Sequence, residues 1–131
     1  MKILIIGTGL IGASIGLALK SLDHFSGEIL GWDASASELD TALRIGAIDR
    51  ALDARESTLK PDIAEVVVLA TPVLPILDWM ERLAPVLSPN QLVTDVGSTK
   101  LEVVQRARSL FNQAGRARFL PGHPMAGKEA G

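Results

Sequence analysis

The chain has no cysteine and only two histidines among its 131 residues. Without cysteine it cannot form a disulfide framework, a thiolate metal site or a thiol nucleophile. Two histidines are also too few for a typical zinc site, which draws on several histidine or cysteine ligands. We therefore expect no metal site, and acid–base chemistry that uses oxygen and imidazole groups.

Strong charge of either sign and long apolar runs are absent as well. Thirteen Lys and Arg residues oppose fifteen Asp and Glu residues, a formal net charge of −2, whereas a nucleic-acid-binding protein usually carries a clustered basic face. No apolar run approaches the roughly 18 residues that a membrane-spanning helix needs, and the first residues lack the pattern of a signal peptide. We expect a cytoplasmic protein with neither nucleic acid nor a membrane as its partner.

What the sequence does contain is a regular alternation of two kinds of apolar segment, one with the pattern of a strand and one with the pattern of a helix. Short β-branched runs that end in glycine or a polar residue predict buried strands, and apolar residues at helical spacing predict amphipathic helices. The predicted strands are Met1–Ile6, Glu28–Asp33, a short one near Ala51, Val66–Ala70, Leu92–Asp95 and Arg118–Leu120. The predicted helices lie at Leu10–Leu22, between Ser35 and Gly46, at Val73–Leu87 and at Thr99–Ala114. This alternation predicts a doubly wound, parallel α/β sheet of the Rossmann-like class, with residues 1–131 as a single domain.

Local signals add detail to the helices. Ser35 followed three residues later by Glu38 is a capping-box signature for the second helix, and Gly46 is a natural stop for it. Gly115 is the corresponding stop after the fourth helix. The first helix is predicted to bury one face, formed by Ile11, Ile15, Ala18, Leu19 and Leu22.

A glycine-rich segment follows the first predicted strand and opens the first predicted helix. Residues 7–12 match the pattern GxGxxG, which is weak alone but specific in this context. Gly7 permits a tight turn, Gly9 lets the backbone approach a pyrophosphate, and Gly12 lets helix and strand pack closely. The phosphates would then meet N–H groups at the positive end of the helix dipole.

Asp33 ends the second predicted strand, at roughly the 20-residue spacing where a carboxylate accepts hydrogen bonds from the adenosine ribose. Its charge repels a 2′-phosphate, and Ala34, Ser35 and Ala36 offer no cation to neutralise one. NAD is therefore favoured over NADP. The alternatives are a flavin or another adenine nucleotide, or glycines that merely turn the chain beside a surface acid.

Polar clusters are also predicted at the carboxyl ends of later strands, where open α/β sheets bind ligands. Thr71-Pro72 follows one strand and can equally be a simple turn. In the segment Asp95–Lys100, Ser98 or Thr99 can cap the next helix or face the site. The candidate cofactor-binding residues are Gly7, Thr8, Gly9, Leu10, Ile11, Gly12, Asp33, Thr71, Pro72 and Gly97.

A third cluster, rich in glycine and proline, contains His123. The following Pro124 biases His123 toward extended backbone, so the loop presents the imidazole from a stiff segment. A neutral imidazole there is suited to accept a hydroxyl proton while hydride leaves the same carbon. The alternative is a structural or merely exposed histidine.

These segments together resemble the prephenate dehydrogenase family of tyrosine biosynthesis and its close relative, arogenate dehydrogenase. The resemblance spans the whole chain and rests on four segments, of which the last two are the most specific: Gly7–Ser14, Thr71-Pro72, Asp95–Lys100 and Gly122–Gly127. It implies oxidative decarboxylation of prephenate to 4-hydroxyphenylpyruvate with NAD as hydride acceptor. In that family pattern His123 matches the histidine that deprotonates the ring hydroxyl, and Ser98 matches the serine that orients the hydroxyl and the imidazole.

The resemblance also implies a part that this chain lacks. Family members continue into a helical C-terminal domain that forms a homodimer and supplies a cationic group for the substrate carboxylates. Because the chain stops at Gly131, we expect it to be a truncation that binds NAD and turns over substrate poorly or not at all.

Other functions stay open at this point. Arogenate can replace prephenate as the substrate. A β-hydroxyacid dehydrogenase or an imine reductase also begins with GxGxxG, although the run from His123 to Gly127 argues against both. A regulatory module that senses NAD without chemistry is the alternative from a different functional class.

Overall fold

The computed structural model describes residues 1–52, 63–96 and 100–122. Within these ranges the chain forms six strands and four helices. The strands are β1 (Lys2–Ile6), β2 (Glu28–Trp32), β3 (Arg50–Ala51), β4 (Val66–Leu69), β5 (Leu92–Asp95) and β6 (Arg118–Pro121). The helices are α1 (Leu10–Lys20), α2 (Ala36–Arg44), α3 (Val73–Leu83) and α4 (Lys100–Leu110). In the described part of the chain, no helix is long and apolar enough to cross a membrane.

The strands form one parallel sheet in the order β3-β2-β1-β4-β5-β6. β1 lies near the centre and pairs with β2 on one side and β4 on the other, so that Ile6 is opposite both Trp32 and Leu69. The strand order reverses between β1 and β4, where such sheets open a crevice outside the carboxyl ends of their strands. This topology confirms the predicted doubly wound α/β class.

The central strands are apolar along their length because both of their faces are buried. Alternate residues enter two separate clusters, one packed against α3 and α4 and the other against α1 and α2. Each fully buried aliphatic side chain contributes about 1.5–3 kcal/mol relative to an exposed one. The β1 and β4 residues in the first cluster are Leu4, Ile6, Val67 and Leu69, and those in the second are Ile3, Ile5 and Val68.

The helix α1 packs through its glycines, which corrects the predicted buried face. Ile15 and Leu19 are partly buried as predicted, but Ile11, Ala18 and Leu22 are exposed. Gly12 and Gly16 are buried instead. A Cβ on Gly16 would lie 2.1 Å from the Ala47 carbonyl oxygen, so the helix backbone touches its neighbour directly. The prediction was wrong at Ile11 and Ala18 because hydrophobic periodicity does not register glycine as a packing residue, and at Leu22 because α1 already ends at Lys20.

The helix α2 begins and ends at the predicted signals. Ser35 Oγ accepts a 3.4 Å hydrogen bond from the Glu38 N–H, and the Ser35 N–H donates to Asp33 Oδ1 at 2.8 Å. Gly46, with φ of 82°, follows the C-cap residue Ile45. Both ends of α2 are therefore completed by residues of the chain itself.

The helix α4 ends at Leu110, whereas the sequence predicted it to continue to Ala114. Asn112 adopts the left-handed conformation with φ of 61°. Its side-chain amide donates to the Phe119 carbonyl and accepts from the Phe119 N–H at 3.2 and 2.9 Å. The helix stops early because this contact with β6 replaces continued helical hydrogen bonding.

Candidate functional site

The turn after β1 brings two carboxyl-end loops into contact. Gly7 adopts φ of 99°, which L side chains rarely tolerate, and its N–H donates to the Trp32 carbonyl at 2.8 Å. A Cβ on Gly7 would lie 2.8 Å from Thr71 Cγ2 and 2.9 Å from the Ala70 carbonyl carbon. Glycine is therefore required here both for the backbone conformation and for the approach to the loop after β4.

The N-terminus of α1 has no cap from the described side chains. Gly9 is the N-cap residue, with φ of −72° and ψ of −155°, and the first turn of α1 contains no acidic residue. Helical hydrogen bonding starts with the Ala13 N–H, which donates to the Gly9 carbonyl at 2.8 Å. The N–H groups of Leu10, Ile11 and Gly12 consequently stand at the positive end of the helix dipole. This end of the helix is suited to bind an anion.

Space for a ligand exists above this turn. The nearest atom to a Cβ built on Gly9 is Glu38 Oε2, at 3.8 Å. Leu10 is 86% exposed and Ile11 is 55% exposed, although both are large apolar residues. The backbone at Gly9 can therefore be approached closely by a bound group.

Asp33 lies directly after β2 and connects the glycine turn to the start of α2. Its Oδ2 accepts hydrogen bonds from the Thr8 N–H at 2.8 Å and the Thr8 hydroxyl at 3.4 Å, and its Oδ1 accepts from the Ser35 N–H at 2.8 Å. A carboxylate offers about four lone-pair positions, so these three donors leave capacity for a further one. The half-buried carboxylate is held in place beside α1 by the chain itself.

Thr71 and Pro72 lie on the side of the glycine turn opposite to Asp33. Thr71 is half-buried, and its methyl group faces Gly7. Pro72 is the N-cap residue of α3, and its carbonyl accepts from the Ile76 N–H at 3.0 Å. The predicted role of this pair as a strand-to-helix turn and its predicted place at the carboxyl edge are thus compatible.

The ends of β5 and β6 also reach this edge of the sheet. Asp95 is completely buried, and its Oδ1 accepts a hydrogen bond from the Gly122 N–H at 3.3 Å. The candidate residues Gly97, Ser98 and His123 lie outside the described residues, as does the alternative cap Thr99. Within the described ranges, no three His, Asp or Glu residues are grouped as a metal site.

Two contacts of the site were not predicted from the sequence. Thr8 is buried and donates from both its backbone and its hydroxyl to Asp33, so the residue between the two glycines also orients the carboxylate. Asp95 was part of a predicted polar cluster, but its burial and its bond to Gly122 were not foreseen. A polar residue at the end of an apolar strand was the only available signal for Asp95.

Taken together, the carboxyl edge combines an uncapped helix N-terminus with an oriented carboxylate. The helix can bind the phosphates of a nucleotide, and the carboxylate can accept a hydrogen bond from a hydroxyl group of its ribose. The arrangement of the strands puts both groups near the crevice between β1 and β4, where the strand order reverses.

Comparison with known protein families agrees with this geometry. Residues 15–131 match the family described as "Prephenate dehydrogenase, nucleotide-binding domain". The curated prephenate dehydrogenase of Lactococcus lactis subsp. cremoris (strain MG1363) is 41% identical over 127 residues, which cover 96% of this chain and 34% of that protein. The chain thus spans about a third of the length of this curated relative.

Solved structures share both fold and sequence with the chain. The crystal structure of Synechocystis arogenate dehydrogenase is 34% identical, with a TM-score of 0.77 over 99% of this chain and 43% of that chain. The crystal structure of prephenate dehydrogenase from A. aeolicus, in complex with hydroxyphenyl propionate and NAD+, is 29% identical. Its TM-score is 0.79 over 99% of this chain and 43% of that chain.

Proposed function

The chain belongs to the prephenate dehydrogenase family, as its nucleotide-binding domain, and on this premise we propose that it binds NAD for the oxidative decarboxylation of prephenate to 4-hydroxyphenylpyruvate. The matched relative is longer than this chain, so the proposed reaction is that of the whole protein. This chain contributes the cofactor site together with His123 and Ser98.

The observation that carries the proposal is the uncapped start of α1 beside the oriented carboxylate of Asp33. The N–H groups of Leu10, Ile11 and Gly12 would donate to the pyrophosphate, and the open space at Gly9 allows its close approach. Asp33 would accept from one ribose hydroxyl, because Thr8 and Ser35 already hold its carboxylate at this edge. The described residues therefore fit a dinucleotide.

The same carboxylate supports NAD rather than NADP. A 2′-phosphate would meet the negative charge of Asp33, and residues 34–36 are Ala, Ser and Ala, which supply no cation. A structure from the same family, that of the A. aeolicus enzyme, holds NAD+. We therefore propose NAD as the cofactor.

For the proposed reaction the protein must align the substrate with the nicotinamide and supply a base for the ring hydroxyl. The bound nicotinamide would supply a hydride acceptor, and loss of CO2 restores an aromatic ring, so the driving force comes from the substrate. We propose that His123 takes the proton of the ring hydroxyl and that Ser98 orients both partners. In the sequence, Ser98 follows the end of β5 by three residues and His123 follows the end of β6 by two, which supports a common location.

Arogenate is the second candidate substrate, because the Synechocystis relative at 34% identity is an arogenate dehydrogenase. The two substrates differ at the side chain, keto in prephenate and amino in arogenate.

We also propose that the whole protein is a homodimer, formed through the helical domain that the family resemblance implies. A cytoplasmic location accords with the use of NAD and a chain that has no cysteine.

Cofactor binding and turnover can be tested separately. We expect the 131-residue chain to bind NAD more tightly than NADP, with the quenching of its two tryptophans as the signal. Equal affinity, or tighter NADP binding, would contradict the role of Asp33.

NADH formation from prephenate and from arogenate is then measured in the longest natural form of the protein. We expect His123→Asn to abolish most of this turnover while NAD affinity is retained, and a large loss of NAD affinity would mean that His123 has been misassigned.

A further inference from the structure

A buried polar side chain lies at each end of β5: Gln91 directly precedes the strand, and Asp95 is its last residue. At its amino end Gln91, 7% exposed, donates to the Ala64 carbonyl at 2.7 Å and accepts from the Ser88 N–H at 2.8 Å. These contacts lie at the edge of the sheet opposite to the glycine turn. At its carboxyl end Asp95 is 0% exposed and accepts from the Gly122 N–H.

A fully buried carboxylate is costly and needs hydrogen-bond partners. The Gly122 N–H is one partner, and it belongs to the residue that directly follows β6. On the other side of Asp95, the Val96 N–H donates to the Leu69 carbonyl at 3.1 Å, which fixes the end of β5 against β4. The carboxylate therefore joins the end of β6 to a strand end that is itself well anchored.

Only glycine fits at position 122, where the ends of β5 and β6 pack closely. A Cβ on Gly122 would lie 2.2 Å from the Asp95 carbonyl oxygen and 3.2 Å from Thr94 Oγ1. Pro121 is paired in register with Asp95. The path of the chain at the end of β6 is therefore defined by direct contact with Asp95.

We propose that Asp95 is a positioning residue for the decarboxylating dehydrogenase reaction, an inference that depends on the function proposed above. It holds the N–H of Gly122, the residue immediately before His123, and it precedes Ser98 by three residues in the chain. One buried side chain thereby sets the starting points of both segments that carry the proposed proton-transfer residues. Asp33 and the start of α1, which hold the cofactor, do not share this contact.

The test compares Asp95→Ala and Asp95→Asn with Gln91→Leu, a matched control at the other end of the same strand. In the longest natural form of the protein, we expect kcat to fall on the order of 100-fold in Asp95→Ala, because misplacement by about 1 Å has this effect. The loss is smaller in Asp95→Asn, whose amide oxygen can still accept from Gly122. NAD affinity stays within about twofold, the change expected for a site held by other residues. Gln91→Leu lowers the unfolding temperature but leaves kcat unchanged.

A second variant tests the same contact, and retained NAD affinity in every variant excludes simple misfolding. Gly122→Ala should reproduce the kcat loss of Asp95→Ala from the other side of the contact, again with NAD affinity retained. If Asp95→Ala keeps its kcat, or if Gln91→Leu lowers kcat equally, Asp95 has no positioning role. A wild-type protein that binds NAD but converts neither prephenate nor arogenate refutes the proposed function instead. In that case amide exchange at Gly122 decides whether Asp95 holds this segment: faster exchange in Asp95→Ala than in Gln91→Leu supports it, and equal exchange refutes it.

Discussion

The helices α1 and α2 pack on the same face of the sheet and each follow the carboxyl end of a strand, yet their N-termini are built differently. At α2, Ser35 caps the Glu38 N–H, and Glu38 adds a negative charge to the first turn. At α1, Gly9 provides no side chain, and the first turn contains no acid. Only the second helix is completed by its own sequence.

This difference separates a structural helix start from a binding one. A capping side chain typically contributes about 1 kcal/mol to stability, and α1 forgoes that contribution. Asp33 lies between the two starts, with Oδ2 bonded to Thr8 ahead of α1 and Oδ1 bonded to Ser35 at α2. The uncapped N–H groups and the carboxylate thus lie side by side, where a nucleotide can contact both.

The largest effect is expected where α1 touches the sheet. Gly12→Val places a Cβ 1.8 Å from the Gly7 carbonyl oxygen, which is backbone and cannot move aside cheaply. We expect the free energy of unfolding to fall by about 3 kcal/mol, the upper part of the range for overpacking, and NAD binding to be lost. Denaturant unfolding measures the first and NAD titration the second. Gly9→Ala is the control, because its Cβ has 3.8 Å of space, and an equally large loss of stability there would contradict this explanation.

The second prediction concerns an acidic cap on α1, which would make its N-terminus resemble that of α2. Gly9→Asp should weaken NAD binding at least about tenfold, equivalent to 1.4 kcal/mol, since its charge occupies the position of the phosphates. Stability should stay constant or rise by a few tenths of a kcal/mol. Gly9→Asn caps without charge and separates repulsion from steric exclusion. Unchanged NAD affinity in Gly9→Asp would place the phosphates elsewhere.

The third prediction concerns the carboxylate that the two helix starts share. Asp33→Asn should weaken NAD binding about tenfold, the equivalent of one charge-assisted hydrogen bond, and should reduce the preference for NAD over NADP. Competition titrations with the two nucleotides measure this ratio. Asp40→Asn makes the same charge change on the exposed surface of α2. A preference that survives in Asp33→Asn would show that another group rejects the 2′-phosphate.

The fourth prediction concerns α2, whose N-terminus is capped by Ser35. Ser35→Ala removes the Oγ acceptor of the Glu38 N–H and should lower the free energy of unfolding by about 1 kcal/mol. NAD affinity should not change, because the cap of α2 does not bind the cofactor in this scheme. Chemical denaturation and NAD titration of the same preparation provide both values. A loss of affinity comparable to that of Gly9→Asp would remove the distinction between the two helix starts.

The smallest effect is expected at the far end of α1. Burial would raise the pKa of Asp49, but the hydrogen bond and charge of Lys20 and the Ile29 N–H outweigh it and hold that pKa below its ordinary value. The resulting stabilisation is present above the unfolded pKa of about 3.9 and is lost as pH falls through the lower folded value. The stability difference between wild type and Asp49→Asn should therefore shrink in acid, as measured by unfolding between neutral pH and pH 3. A difference that is independent of pH would contradict the role of the carboxylate charge.

Most of the fold could be predicted because it depends on patterns that are local in the sequence. The β-branched run at Val66–Leu69 and the glycine turn at residues 7–12 are recognisable without knowledge of their neighbours. The packing of α1 could not be predicted in the same way. Ile11 has core-like chemistry but is exposed, since the close approach of Gly12 and Gly16 turns it outward, and Leu22 is exposed because it lies beyond the end of α1.

The site was predictable in position but not in its internal contacts. Thr71 and Asp33 were expected at the carboxyl edge because parallel strands share that edge. The burial of Thr8 depends on an acceptor 25 residues away, and that of Asp95 on a donor 27 residues away. Such pairings follow only from the strand order, so spacing along the chain gives no direct sign of them.

The most direct measurement follows the backbone amides of both helix starts while NAD is added to the isotope-labelled chain. Saturable shifts are expected in the NMR signals of Leu10, Ile11 and Gly12, and they should be larger than those of Ser37 and Glu38. Shifts confined to the start of α2, or the absence of a saturable response at α1, would contradict the assignment of α1 as the phosphate-binding helix.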